Sequence, residues 1–183
     1  MKLHPIIRLV LAALLLVAGL SSTLASPPDF DRKVVFSRRN LGGPRLGVTY
    51  VAGNTALARY LDSQGIGRQL SQFGWHFEYQ VIPDGDGPQF VVQLTPLIAG
   101  VEYGKVIPGA TMAMGIRFPS GWEFGLGPNV IAGTGDTSPT SLVVGAGKTF
   151  NYGGVSIPLN LVYATNPDGT RLSFIIGYAI ARH

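Results

Sequence analysis

The chain has no cysteine among its 183 residues. Disulfides, a thiol nucleophile, a thiolate metal site and a cysteine-borne lipid anchor are therefore excluded. Charge is scarce as well. Only 13% of residues are Asp, Glu, Lys or Arg, against the roughly 25–35% of a water-facing surface. Disorder is excluded, because 46% of the residues are hydrophobic and a disordered chain is poor in them. No Lys/Arg run of the kind that tracks phosphates is present, so nucleic acid is not an expected partner. Histidine is limited to His4, His76 and His183. There is no G-x-S-x-G elbow and no His/carboxylate cluster at metal-ligand spacing. Glycine runs such as Gly125-Leu126-Gly127 fall inside expected strands rather than phosphate-cradling loops. No cofactor and no metal are expected.

Residues 1–25 have the layout of a secretory signal. Lys2 and Arg8 lie in the basic n-region, Leu9–Leu20 form the apolar segment, and Thr23 and Ala25 fit a small-residue cleavage site. The apolar segment is too short to span about 30 Å of hydrocarbon comfortably as a helix. Removing the segment leaves 12 basic and 10 acidic residues, a net charge of +2, so part of the basic character belongs to the signal. Residues 26–42, with Asp29 and Asp31 followed by Arg32, Lys33, Arg38 and Arg39, are expected to form a periplasmic tail. Its basic half suits either a solvated linker or contact with anionic headgroups.

From residue 43 onward the dominant signal is period two. In 73–82, Phe73, Trp75, Phe77, Tyr79 and Val81 alternate with Gly74, His76, Glu78 and Gln80, so one face is aromatic and the other polar. The same alternation predicts strands over 44–52, 90–98, 109–118, 122–131, 141–150, 155–163 and 171–180. Lys148 interrupts the apolar face of its strand. Eight strands, each close to the 9–11 residues that cross a bilayer at a tilt, predict a closed, antiparallel, all-β transmembrane barrel over 43–183. Connections alternate long and short, with turn chemistry at Pro83–Pro88, Pro119–Gly121 and Asn151–Gly154. Residues 54–64 predict a short helix in the first outer loop, with Asn54 as N-cap and Gly65 as stop. The rival is a soluble, lipocalin-like barrel with its apolar face inward. Its water-facing set would include Gly109, Thr111, Gly115, Gly145 and Gly147, which carry no charge.

Three stretches carry a resemblance: Gly43-Pro44-Arg45-Leu46-Gly47-Val48-Thr49-Tyr50, Ser71–Gln80, and Gly115-Ile116-Arg117 with Phe124-Gly125-Leu126-Gly127-Pro128-Asn129. The chain resembles small bacterial outer-membrane β-barrels of the OmpA/OmpX size class and is similar to uncharacterised outer-membrane β-barrel proteins. The resemblance covers about residues 43–181. It implies the fold and the outer-membrane compartment, with membrane lipids and the barrel assembly machinery as partners. It implies no activity. Such barrels usually close on a C-terminal aromatic, whereas this chain ends Ile180-Ala181-Arg182-His183, with Tyr178 the nearest aromatic.

Strand parity turns Arg45, His76, Glu78, Arg117, Glu123 and Arg171 into the lumen. Two readings fit: an acid/base pair of His76 and Glu78, or a structural network of paired charges. An interior only wide enough for side chains favours the network. A catalytic triad would need His76 and Glu78 with Ser71 or Ser173, and parity points His76 away from lipid. Two aromatic girdles are expected, with Tyr50, Phe73, Trp75 and Tyr163 at the outer rim and Phe118, Trp122, Phe150 and Tyr178 at the periplasmic rim. The expected function is therefore that of a non-enzymatic outer-membrane barrel, structural or interacting through its outer loops with an unidentified extracellular ligand. A lipid-modifying acyl hydrolase or transferase is the alternative.

Overall fold

The computed structural model describes residues 35–37, 42–82, 87–133, 135–152 and 155–180. The expected signal, most of the expected tail, and turn residues 83–86 and 153–154 lie outside them. The elements are β1 (Val35–Ser37), β2 (Gly43–Ala52), α1 (Ala56–Ser63), β3 (Gln69–Ile82), β4 (Gln89–Ala99), a 3-10 turn (Val101–Tyr103), β5 (Ile107–Arg117), β6 (Trp122–Ile131), β7 (Thr140–Tyr152), β8 (Val155–Asn166), β9 (Gly169–Gly177) and β10 (Ala179–Ile180). Each of β2 to β9 pairs antiparallel with its sequence neighbour, and β2 pairs with β9, Arg45 opposite Gly177 and Ala52 opposite Thr170. The sheet closes into an eight-stranded barrel. Closure leaves no free edge among β2 to β9, which is the usual remedy for unpaired backbone groups.

Two short strands extend this wall. Part of the expected tail, β1, pairs with the last residues of β3, Val35 opposite Ile82. At the other terminus the expected strand over 171–180 is interrupted. Ile176 lies opposite Leu159 and Ala179 opposite Ser156, so the register is unbroken and Gly177 faces Pro158. Proline has no N–H to give the ladder, which accounts for the break between β9 and β10.

The interior and exterior are chemically inverted relative to a soluble domain. Arg45, His76, Glu78, Gln93, Thr95, Arg117, Glu123, Asn129 and Arg171 turn inward and line the lumen. Outward stand large apolar side chains such as Leu46, Phe77, Leu94, Met112, Phe124, Val144, Leu161 and Phe174, each 44–54% exposed. Among the described strands Lys148 is the only charged residue on the outer face. Its Nζ donates to the Ser120 carbonyl at 2.5 Å and sits 5.2 Å from the centre of the Trp122 ring. The amine thus leans towards the turn between β5 and β6, keeping its stem on the apolar face.

A small apolar core sits at one end only. Thr55, not Asn54, caps α1: its Oγ1 accepts from the Ala58 amide at 3.3 Å. Gly65, at φ +68°, takes the left-handed conformation after the helix. Leu57, Ala58 and Leu61 turn into the barrel mouth and pack with Val51, Ile66 and Leu70. The helix is held across the mouth by Leu57 N–H donating to Asp168 O at 3.0 Å and Tyr60 Oη donating to Gly133 O at 3.1 Å.

The expected alternation of long and short connections fails once. At the α1 end three connections are long, but β8 and β9 meet in the tight turn Asn166-Pro167-Asp168-Gly169. Asn166 Oδ1 accepts from Asp168 N–H at 3.1 Å, an Asx turn that needs no further residues.

Glycine on the inner face lets β5 and β6 approach each other. A Cβ at Gly127 would meet the Met112 carbonyl and the Ala113 backbone. Gly127→Ala is expected to destabilise the barrel by about 1–3 kcal/mol, as overpacking does elsewhere. Urea titration of the lipid-refolded protein checks this. Unchanged stability would show that β5 and β6 can part without loss.

Candidate functional site

Among the described residues two cavities stand out in the interior. A polar one of about 360 Å³ occupies the half opposite α1, and a smaller one of about 90 Å³ lies beneath the helix. Leu97, Thr111, Val143, Val162 and Ile175 line both.

Arg117, the last residue of β5, organises the polar half. Its Nη1 and Nη2 donate to the two oxygens of Glu78 at 2.5 and 2.6 Å. Its Nε and Nη2 reach Glu123 Oε2 at 3.0 and 2.6 Å. One guanidinium therefore binds a carboxylate from β3 and another from β6, a geometry suited to its planar fork. Remaining acceptor capacity is filled by neutral donors. Asn160 Nδ2 gives to Glu123 Oε1 at 2.6 Å, and Gln80 Nε2 gives to Glu78 Oε1. Gln80 Oε1 is the sole fully buried side-chain polar atom without a partner among the described residues. His76 completes the cluster, with Nε2 3.3 Å from Glu78 Oε2 and Nδ1 3.0 Å from Thr95 Oγ1.

The six charged or titratable residues that parity sends inward do not form one network. His76, Glu78, Arg117 and Glu123 converge. Arg45 lines the same cavity and interacts electrostatically with Glu78 and Glu123, but it has no carboxylate within ion-pair distance among the described residues. Arg171 belongs to the α1 half. Its Nη2 donates to Asn129 Oδ1 at 3.0 Å and Ser141 Oγ at 2.5 Å. Asn129 in turn donates to Thr111 Oγ1 at 2.8 Å. Beside it Thr49 Oγ1 lies 2.7 Å from Ser173 Oγ and donates to Gln72 Oε1 at 3.1 Å.

Neither candidate serine joins His76. Ser173 is engaged with Thr49, and Ser71 faces outward, with its hydroxyl and its N–H on the Glu102 carboxylate. Both imidazole nitrogens of His76 are engaged within the lumen, one by Glu78 and the other by the hydroxyl of Thr95, which itself lines the cavity. Among the described residues no group of three or more His, Cys, Asp or Glu is placed to hold a metal ion.

The eight aromatic residues expected at the rims all stand on the outer face. Tyr50 and Tyr163 lie towards the α1 ends of β2 and β8. Phe118, Trp122, Phe150 and Tyr178 lie at or next to strand ends on the opposite side. The Trp122 and Phe124 rings stack with centroids 6.5 Å apart, and Phe118 meets Phe124 edge-on. Because β3 starts four residues before the expected position, Phe73 and Trp75 sit further from its end, with Trp75 opposite Pro44.

Compared with protein-family models, with curated proteins and with solved structures, the chain matches none.

Proposed function

We propose that the chain is a non-enzymatic bacterial outer-membrane β-barrel, exported by the signal in residues 1–25 and inserted with its α1 end outward. The observation that carries this reading is the belt of large apolar side chains on the outer face, interrupted by one lysine, around a lumen that holds the strand-borne Arg, Glu and His residues. A contiguous apolar surface running around all eight strands is far larger than the few hundred Å² that soluble monomers expose. Lipid removes that cost, and the closed ladder satisfies the backbone without water. The partners that follow are outer-membrane lipids and the barrel assembly machinery. The three long connections at the α1 end are the surface through which it would meet extracellular ligands, since binding residues concentrate on loops held by rigid scaffolds. His76, Glu78 and the Thr95 hydroxyl beside them are enclosed in the lumen, away from the outer face, which supports a structural role over lipid acyl chemistry.

Labelling with a membrane-impermeant maleimide tests location and orientation in a chain without native cysteine. Asp136→Cys, in the connection between β6 and β7, should label on intact cells. Ser120→Cys, in the turn between β5 and β6, should label only after the outer membrane is permeabilised. The converse pattern would mean an inverted barrel. Labelling of both only after permeabilisation, with the protein in the soluble fraction, would mean a periplasmic soluble barrel.

A further inference from the structure

The lumen charges balance in one half and not in the other. Opposite α1, Arg45 and Arg117 share a cavity with Glu78 and Glu123. Beneath α1 stands Arg171, only 8% exposed, with no carboxylate within ion-pair distance among the described residues. A buried cation ordinarily has a counter-charge, because its desolvation is otherwise uncompensated.

The guanidinium is also only partly used. Nη2 makes both of its hydrogen bonds, to the neutral Asn129 and Ser141, while Nε and Nη1 have no acceptor among the described residues. They are not sealed off either, since Gln80 Oε1 is the one fully buried unpartnered side-chain atom among the described residues. Arg171 lines the cavity beneath α1. The rest of its wall is largely apolar, with Leu57 and Leu61 of α1 above and Val143, Ile131 and Ile175 at the sides. Its volume of about 90 Å³ is several times the roughly 10–15 Å³ one water requires.

We propose that this cavity binds a small monocarboxylate with a compact apolar body, its carboxylate on Nε and Nη1 of Arg171 and its body against the Leu57/Leu61 face of α1. A carboxylate fits the planar donor edge of an arginine and supplies the missing charge. An apolar body fits walls that offer water few partners. Tyr60, whose hydroxyl rests on Gly133 at the cavity margin, and α1 itself form the side through which the ligand passes. The site goes beyond the outer-membrane reading and does not depend on which way the barrel is inserted.

Isoleucine-methyl NMR of the intact barrel in detergent micelles tests this. Hexanoate is the probe, with hexan-1-ol and hexylammonium as controls of the same length. Hexanoate should shift the Ile131 and Ile175 methyls saturably. Hexan-1-ol should bind roughly tenfold or more weakly, the weight of charge-assisted hydrogen bonds, and hexylammonium should give no saturable shift. Arg171→Gln should weaken hexanoate by a comparable factor, and Arg171→Lys, which keeps the charge without the planar donor edge, should fall between Arg171→Gln and the wild type. Equal binding of alcohol and acid, unchanged affinity in Arg171→Gln, or no saturable hexanoate shift would each overturn the proposal. Should Arg171→Gln fail to fold, the comparison of the three probes on the wild-type barrel decides it.

Discussion

Arg117→Met is expected to lower the unfolding free energy of the barrel by about 3–5 kcal/mol. The substitution removes the one group that bridges Glu78 and Glu123, and both carboxylates would remain in the lumen with neutral donors, His76 and the more distant Arg45. The loss is therefore the cost of an uncompensated buried charge more than the value of the lost bonds. This predicts a specific rescue. Adding Glu123→Gln to Arg117→Met, which leaves Arg45 and Glu78 as opposite charges in the cavity, should recover most of the stability, although two polar groups have been changed instead of one. Equilibrium urea unfolding from lipid vesicles measures all three states. A loss below about 1 kcal/mol for the single variant, the scale of exposed pairs, would mean that water enters the lumen freely and solvates both carboxylates.

Met112→Arg should cost about 2–4 kcal/mol, the range for a cation at the bilayer midplane. Met112 is the central residue of β5, turned outward and half exposed, opposite the equally outward Leu94. In water the same change would stay within about 0.5 kcal/mol, because an exposed methionine replaced by arginine loses little. The contrast separates a lipid-facing wall from a solvated one by an effect well above measurement error. Tyr152→Arg, at the end of β7, serves as the internal control, with an expected cost near 0–1 kcal/mol at the interface. Equal and negligible costs at both positions would place the outer face in water and remove the membrane reading.

Much of this fold is legible in the sequence because a strand's side-chain period is fixed. Phe73, Trp75 and Phe77 on one face and His76 and Glu78 on the other are consequences of pleating alone. Strand limits are less legible where the pattern stays polar: Gln69 to Gln72 continue β3 although Ser71 and Gln69 weaken its apolar face. The tight turn at Pro167-Asp168 was hidden because Tyr163 is the last strongly apolar residue of β8, so the strand's end reads as loop. Side-chain partners are legible least of all. Parity sends Arg117 and Arg171 to the same lumen, but only register and depth show that the first meets two carboxylates and the second meets none. Gln80, Asn160, Ser141 and Thr49 are likewise ordinary polar positions until register brings them against Glu78, Glu123, Arg171 and Ser173.

The pairing of β2 with β9 bears on the order of events in folding. Every other pair among β2 to β9 joins strands adjacent in sequence, so hairpins can form as soon as both arms exist. The seam joins Arg45 to Gly177 and closes only when nearly the whole chain is present, which makes it the contact of highest sequence separation and greatest loop entropy. Until then two strand edges stand unpaired, and each could accept the other's counterpart from a second molecule. The penultimate state is thus an open, curved sheet with eight strands and two sticky margins. A cross-link between the arms of β2 and β9 should shorten the lifetime of that state, whereas one across any sequence-adjacent hairpin should leave it nearly unchanged.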